Sequence, residues 1–403
     1  MSIFAACRMA MAAGNAGGCA AVGTTLTTSN QTTAFSEDAS HVNIQFDPHN
    51  ENRFLLSYTA SSSNPIVVTC AVGTVSSSGF TFGSSYTLQS ARCEKPSIAW
   101  NPSVEDEFVV AYVTREGSVW DYGDARVGTI TSNTVISYSS SVHFNAGYTG
   151  QPKVAFDPNS SGDLLIAYAD IDNSSRTTVV CGTLSSGTLA FASTSYTLAS
   201  GYGLSSDSPH SLAYDSQTAG KFAVIQYADS TYYGSITVGT ISSQVITLGS
   251  PYTYRSEAAY YAGISADPFN ADKFVIASGH WTSSSRGKAL IVTVSGTTPT
   301  SGSLVTFGST TVKATYSTVQ YSHTNEDKVL ISWKDGSTNY LKTVAGTISG
   351  STITLGTTTT PYSAAIAFPT VGWDYVECGQ YVVAHRAQDS AGYYPIVHKG
   401  VIS

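Results

Sequence analysis

Charge is the scarcest thing in this 403-residue chain: Asp, Glu, Lys and Arg together make up 11% of it, less than half the share usual in globular domains. A surface so poor in ions must be hydrated by hydroxyl groups, and Ser, Thr and the 25 tyrosines supply them. The 19 Lys and Arg are scattered singly and the net charge is −8, so no basic stripe exists to neutralise phosphates and nucleic acid is excluded as a partner. No apolar run approaches the roughly 18 residues that a membrane helix requires, which excludes a membrane-spanning helix. Helix-period segments are almost absent beyond residue 21, which favours an all-β body over an α/β one. Cysteine is sparse as well. The six, at positions 7, 19, 70, 93, 181 and 378, form no C-x-x-C pair and have no His at zinc-ligand spacing, so no metal site is expected. Cys70 and Cys181 fall in matching strands of non-adjacent repeats, and buried free thiols are the expectation for the set.

What the chain does have is a period near fifty residues. An alternating strand ends in an Asx turn at Asp47, Asn101, Asp157, Asp215, Asp267, His323 and Asp374, followed by Pro in four copies (Pro48, Pro102, Pro158, Pro268). The next strand opens at Phe54, Phe108, Leu164, Phe222, Phe274, Val329 and Tyr381, seven residues after the turn in every copy but the sixth, where the distance is six. An Asx side chain bonds a backbone amide two residues on and Pro presets φ, so the pair forms a turn for a physical reason. A third strand carries Val72-Gly73-Thr74, Val127-Gly128-Thr129, Cys181-Gly182-Thr183, Val238-Gly239-Thr240 or Ala345-Gly346-Thr347, and a fourth returns as Phe80-Thr81-Phe82-Gly83, Val245-Ile246-Thr247-Leu248-Gly249 or Ile353-Thr354-Leu355-Gly356. Seven copies of a four-stranded meander predict a seven-bladed β-propeller over residues 22–403. The last copy has only three strands, ending at Ser403, while Val22–Phe35 has no partner strands of its own. The N-terminal strand should therefore complete the last blade, a 3+1 closure that leaves no sheet edge open.

Residues 1–21 do not share this pattern, being rich in Ala, Met and Gly. Ser2 can cap a short helix over residues 3–13 with Ile3, Phe4, Cys7 and Met11 on one face. That apolar face is expected either to pack on the propeller or to dock the chain on a partner protein.

Catalytic signatures are missing. The eight histidines form no local motif with a nucleophile, and no G-x-S-x-G occurs. Ser332-Trp333-Lys334-Asp335-Gly336-Ser337-Thr338 approaches the S-x-D-x-G-x-T-W box of propeller glycosidases, but its Asp falls one place late and the closing Trp is absent, so it reads as an Asp-Gly hairpin. The turn aspartates recur once per blade, where glycoside hydrolysis needs one particular pair. Asp170-Ile171-Asp172-Asn173 begins like a calcium loop without its later Gly and Glu, and reads as a solvated turn. The expectation is a non-enzymatic protein without cofactor or metal. Tyr58, Tyr112, Tyr168 and Trp333 share one repeated position and belong to the core; Trp120, Tyr122, Tyr232, Tyr233, Trp281 and Tyr393 lie in loops, where aromatic faces can stack on sugar rings.

The run Val238-Gly239-Thr240-Ile241-Ser242 followed by Ile246-Thr247-Leu248-Gly249, and Lys273-Phe274-Val275-Ile276-Ala277 after Asp267-Pro268, resemble the degenerate propeller repeats of large tailed-phage proteins. The resemblance covers about residues 22–403 and implies a virion structural or decoration protein at the particle surface: a knob, fibre or capsid-associated propeller. It would join capsid or tail proteins through residues 1–21 and take part in host-surface adhesion. A carbohydrate-binding lectin or receptor-binding module is the alternative, and a glycan-processing hydrolase a more distant one.

Overall fold

The structure, a computed structural model, describes residues 19, 22–116, 119–198, 202–204, 210–228, 230–280, 286–308, 313–388 and 392–403. Among them there are strands and no helix, and the strands form seven antiparallel four-stranded blades. The first strands of the blades are Ala39–Phe46, Cys93–Trp100, Thr149–Phe156, Leu212–Tyr214, Tyr261–Ala266, Ala314–Tyr321 and Ile366–Trp373. Each packs against the next and the last packs against the first, which closes the ring around a central channel. Blade 7 takes its fourth strand from the N-terminal Leu26–Thr33, whose register runs from Leu26 opposite Ile402 to Thr33 opposite Ile396. The 3+1 closure expected from the repeats is thus the observed one. The proposed docking residues Ile3, Phe4, Cys7 and Met11 lie outside the described residues.

The two signatures of the repeat turn out to be two halves of one contact. Phe54, Phe108, Phe222 and Tyr381, which open the second strands, sit directly opposite Gly73, Gly128, Gly239 and Gly400 of the third strands. The ring lies flat over the glycine: a Cβ on Gly128 would come within 2.1 Å of the Phe108 ring, and one on Gly400 within 2.1 Å of Tyr381. Only glycine leaves room for the aromatic residue, which is why the two recur together.

Each second strand is buried along nearly its whole length, as in the uninterrupted pattern of Arg53–Ala60, because both faces of a blade are covered by neighbours. The core is accordingly a set of layers between successive blades. One layer joins blades 1 and 2 and takes in Val382, Ala384 and Val397 of blade 7. Tyr58, Tyr112, Tyr168 and Trp333 are fully buried in these layers, as their repeated position implied.

The Asx turns also stitch the blades together. In blade 3 the Asp157 carboxylate accepts the amide N–H of Asn159 within its own turn at 2.8 Å and that of Gly220 in blade 4 at 2.6 Å. Asp215 does the same for Gln217 (2.8 Å) and Asp272 of blade 5 (2.6 Å). Asp374 of blade 7 accepts from Val376 (2.8 Å) and from Asn52 of blade 1 (3.0 Å), across the point of closure. The sixth turn corrects the sequence reading. Its capping side chain is Ser322, whose hydroxyl accepts from Asn325 N at 3.0 Å and Thr324 N at 3.3 Å, and not His323. Counted from Ser322, the seven-residue interval to Val329 holds in every copy.

Cysteine requires a second correction. Cys70, Cys93 and Cys181 are buried free thiols as expected, but Cys19 and Cys378 form a disulfide with their Cα atoms 5.5 Å apart. Ring closure brings the segment before the N-terminal strand beside the first turn of blade 7, a proximity invisible at a sequence separation of 359 residues.

Candidate functional site

First strands run from an upper face to the Asx turns of the lower face, so the second-to-third loops and the links to the next blade lie on the upper face. Along each strand alternate residues point into the channel. Gln45, Ala99, Ala155, Ala213, Ser265 and Gln320 form one such tier, and Ser97, Lys153 and His210 lie above it, around a cavity of ≈ 200 Å³. The lumen is therefore small, polar and cationic. His210 reaches across it, with Nε2 3.3 Å from Thr370 Oγ1 and 3.5 Å from Gln320 Nε2.

At the upper mouth five first strands carry a bulge, marked by register shifts after Ser40, Glu94, Gly150, Thr315 and Ala367. The residue at the bulge is in the left-handed region each time: His41 (φ 50°), Lys95 (59°), Gln151 (53°), Tyr316 (52°) and Phe368 (52°). For residues with a Cβ this conformation costs about 1 kcal/mol or more each, and bulges commonly serve to re-aim side chains. Here they bring rings of successive blades together. Tyr261 and Tyr316 have centroids 4.8 Å apart, Tyr316 and Phe368 5.2 Å, and Phe368 and His41 4.9 Å. The arc extends from Tyr261 to Tyr260 (5.1 Å) and on to Tyr227 (4.8 Å). It runs from blade 4 to blade 1.

Cations complete the circle. The Arg386 guanidinium lies over the Phe368 ring at 5.0 Å and over Tyr393 at 5.0 Å, and Lys334 Nζ lies 5.8 Å over Tyr316. Lys95 occupies the bulge position in blade 2, its amide held by Thr59 Oγ1 at 3.1 Å. A cavity of ≈ 170 Å³ lies between Lys95 and Gln151 on one side and Tyr227 and Tyr260 on the other. The electrostatics follow from this crowding. Burial, reinforced by the positive charges of Lys95, Lys153 and Arg386, pushes His41 down to about 3. Burial and then Lys153 push His210 down to about 3, while burial and then Arg386 lower Lys334. The mouth thus holds a positive potential in a protein of net charge −8. Chemically, such a site can stack flat rings; its histidines meet hydroxyls, His41 Nδ1 with Ser40 Oγ at 3.1 Å and His210 Nε2 with Thr370 Oγ1 at 3.3 Å, and among the described residues there is no cluster suited to a metal.

The loop aromatics singled out from sequence divide into three sets. Tyr232 stands at one end of the arc, 5.7 Å from Tyr227 and 6.2 Å from Tyr260, and Tyr393 stands under Arg386, with 42% of its surface exposed. Tyr122 has His143 of its own blade as ring neighbour at 5.7 Å, and Tyr233 opens the third strand of blade 4 opposite Ala258. Trp281 lies outside the described residues, as does the side chain of Trp120. Asp335 caps its own hairpin through the amides of Ser337 and Thr338, both at 3.0 Å, as the Asp-Gly reading implied. Asp172 accepts the Tyr148 amide at 2.8 Å. Loop inspection missed Tyr261, Tyr316, Phe368, His41 and Lys95, because they sit within strands. One signal could have found them: each lies six residues before its turn residue, where large rings and a lysine are out of place in a small polar channel.

No protein-family model and no curated sequence matches the chain. Solved structures do resemble it. A protein of unknown function from Dyadobacter fermentans is 7% identical over 94% of this chain and 99% of its own, with a TM-score of 0.54. Sqt1 of Saccharomyces cerevisiae is 10% identical over 93% and 98%, with a TM-score of 0.53. The NanB sialidase of Streptococcus pneumoniae is 11% identical over 92% of this chain and 70% of its own, with a TM-score of 0.51. At such identities the likeness concerns architecture alone, and the chain is, on its own topology and by these neighbours, a seven-bladed β-propeller.

Proposed function

We propose that the protein is a non-enzymatic binding module that takes glycans at the upper mouth of its channel. The observation that carries this reading is the arc Tyr261, Tyr316, Phe368 and His41, four rings from four successive blades held by a conformation that costs energy at three of them. The same bulge recurs at Lys95 and Gln151, and where rings occupy it, in blades 6, 7 and 1, it offers a surface suited to a flat, hydroxylated ring. The Cys19–Cys378 disulfide supports work in an oxidising, extracellular setting. The virion-surface setting rests on the resemblance of the repeats, and none of the similar structures named above is described as a virion part.

Glycan-array profiling followed by calorimetry tests the reading. Binding of at least one glycan class is expected, weakened about 10-fold or more by Tyr316→Ala or Phe368→Ala, each ring contributing about 1–2 kcal/mol. Absence of binding to any glycan at millimolar concentration, by a protein of unchanged thermal stability, would overturn it.

A further inference from the structure

We propose that the cleft between blades 3 and 4 is a second binding site, independent of the upper mouth, that takes the ammonium group of a small amine. The cleft is a cavity of ≈ 480 Å³ beside the Asx turns of the lower face, where Asp157, Asp163, Leu164 and Gly182 of blade 3 meet Tyr214 and Ile241 of blade 4. A volume of this size falls within the range of small-molecule sites. It lies where blade 3 departs twice from the repeat. The first departure is steric: Leu164 stands opposite Gly182, in the place that the rings of Phe54, Phe108, Phe222 and Tyr381 take in blades 1, 2, 4 and 7.

The second departure is electrostatic. In five other blades the residue six places after the turn side chain is matched to a partner: Arg53 pairs with Asp47 and Lys273 with Asp267, Gln380 Nε2 donates to Asp374 at 3.0 Å, Glu107 accepts from Asn101 Nδ2 at 2.6 Å, and Lys221 pairs with Asp272 of blade 5. In blade 3 that residue is Asp163. An acid thus stands where the repeat elsewhere puts a cation or an amide, and among the described residues neither Asp157 nor Asp163 is in an ion pair. Asp157 is 2% exposed and has two backbone amides as partners; burial, with the charge of Asp163 adding to it, raises its carboxyl. Two carboxylates so placed repel each other unless a cation joins them.

Tyr214 is an independent mark of a ligand. It is 6% exposed, and its hydroxyl is buried with no hydrogen-bond partner among the described residues, although buried polar atoms are ordinarily paired. Burial and then the charges of Asp157 and Asp163 raise this phenol well above its ordinary value, which sets it near both carboxylates on the wall of the same cavity. An ammonium group carries three N–H donors and no acceptor, which suits two carboxylates and a phenolic oxygen. Leu164 and Ile241 offer an apolar wall to the body of the amine.

Titration calorimetry and thermal unfolding of the full chain with n-butylammonium, and with 1-butanol as its neutral counterpart, test the proposal. The amine is expected to bind at millimolar concentration and to raise the melting temperature, with the alcohol about 10-fold or more weaker. Asp163→Asn, at an exposed position, should weaken the amine several-fold and leave both the alcohol and glycan binding unchanged. Tyr214→Phe should weaken the amine several-fold without lowering the melting temperature of the free protein, an effect that a merely structural tyrosine would not show. Asp163→Lys, which gives blade 3 the cation of blades 4 and 5, should raise that melting temperature and abolish amine binding. Equal affinity for amine and alcohol, no binding of the amine at about 50 mM, or amine binding that survives Asp163→Lys would overturn the proposal. Stabilisation by calcium chloride alone, lost in Asp163→Asn, would overturn it in favour of a metal site.

Discussion

Acid should unfold this propeller early, because it buries histidines in a neutral state. His210, His385 and His398 are 9%, 0% and 3% exposed. The last two face each other with Nε2 atoms 2.8 Å apart, in the blade that closes the ring. Burial pushes His210 down to about 3 and His398 down to about 4, and burial with the charge of its partner pushes His385 well below the usual value. In the unfolded chain all three titrate near 6.5, so below that pH the unfolded state binds more protons than the folded one. Stability is therefore complete above pH 6.5, falls as pH drops, and stops falling only below the folded values, about 3 for His210 and about 4 for His398. At pH 5 His210 and His398 each withhold about 2 kcal/mol, about 4 kcal/mol together, with His385 acting in the same direction. Burial raises Asp157 and Asp374, which act in the opposite sense only where carboxylates titrate. For a domain of this length, about 4 kcal/mol corresponds to a melting temperature about 5 °C or more lower at pH 5 than at pH 7.5. Differential scanning calorimetry across pH 4.5–7.5 measures it. His398→Gln should lower the slope by about 1 kcal/mol per pH unit. A melting temperature constant between pH 7.5 and 5 would refute the reasoning.

Three further outcomes follow from the fold. Cys19→Ser, or reduction, should free the N-terminal strand; for a closure of 359 residues the chain-entropy contribution is about 6 kcal/mol as an upper figure. Hydrogen exchange should then rise first in Leu26–Thr33. Gly128→Ala sets a Cβ against the Phe108 ring and should cost about 3 kcal/mol, measured by denaturant unfolding, with Phe108→Leu in the same chain recovering part of the loss. Asp157→Ala orphans the Asn159 and Gly220 amides and should cost about 3 kcal/mol, while Asp157→Asn, which keeps one acceptor, should cost less.

Sequence legibility tracked locality. The Asx turns, the aromatic openers and the Val-Gly-Thr glycines are each set by a neighbour a few residues away or directly across a hairpin, so their spacing revealed seven blades and the 3+1 closure. The sixth turn slipped by one because Ser322 performs with a hydroxyl what Asp performs elsewhere, leaving His323 as the more conspicuous residue. The disulfide escaped because it depends on the ring being shut, although the closure inferred from the repeats already set Cys19 beside blade 7. The mouth escaped for a deeper reason. Tyr261, Tyr316 and Phe368 follow one another at 55 and 52 residues while His41 lies at the far end of the chain, and bulges rather than loops present Tyr316, Phe368 and His41. Alternation alone assigns such positions to the channel wall, and only backbone conformation shows that they turn to meet one another.

The most direct test of the account is a crystal structure of the protein soaked with the oligosaccharide that binds it best. The account predicts a pyranose ring stacked on Tyr316 and Phe368 at the upper mouth. A sugar bound on the outer strands or the lower face, with the mouth holding only solvent, would contradict it.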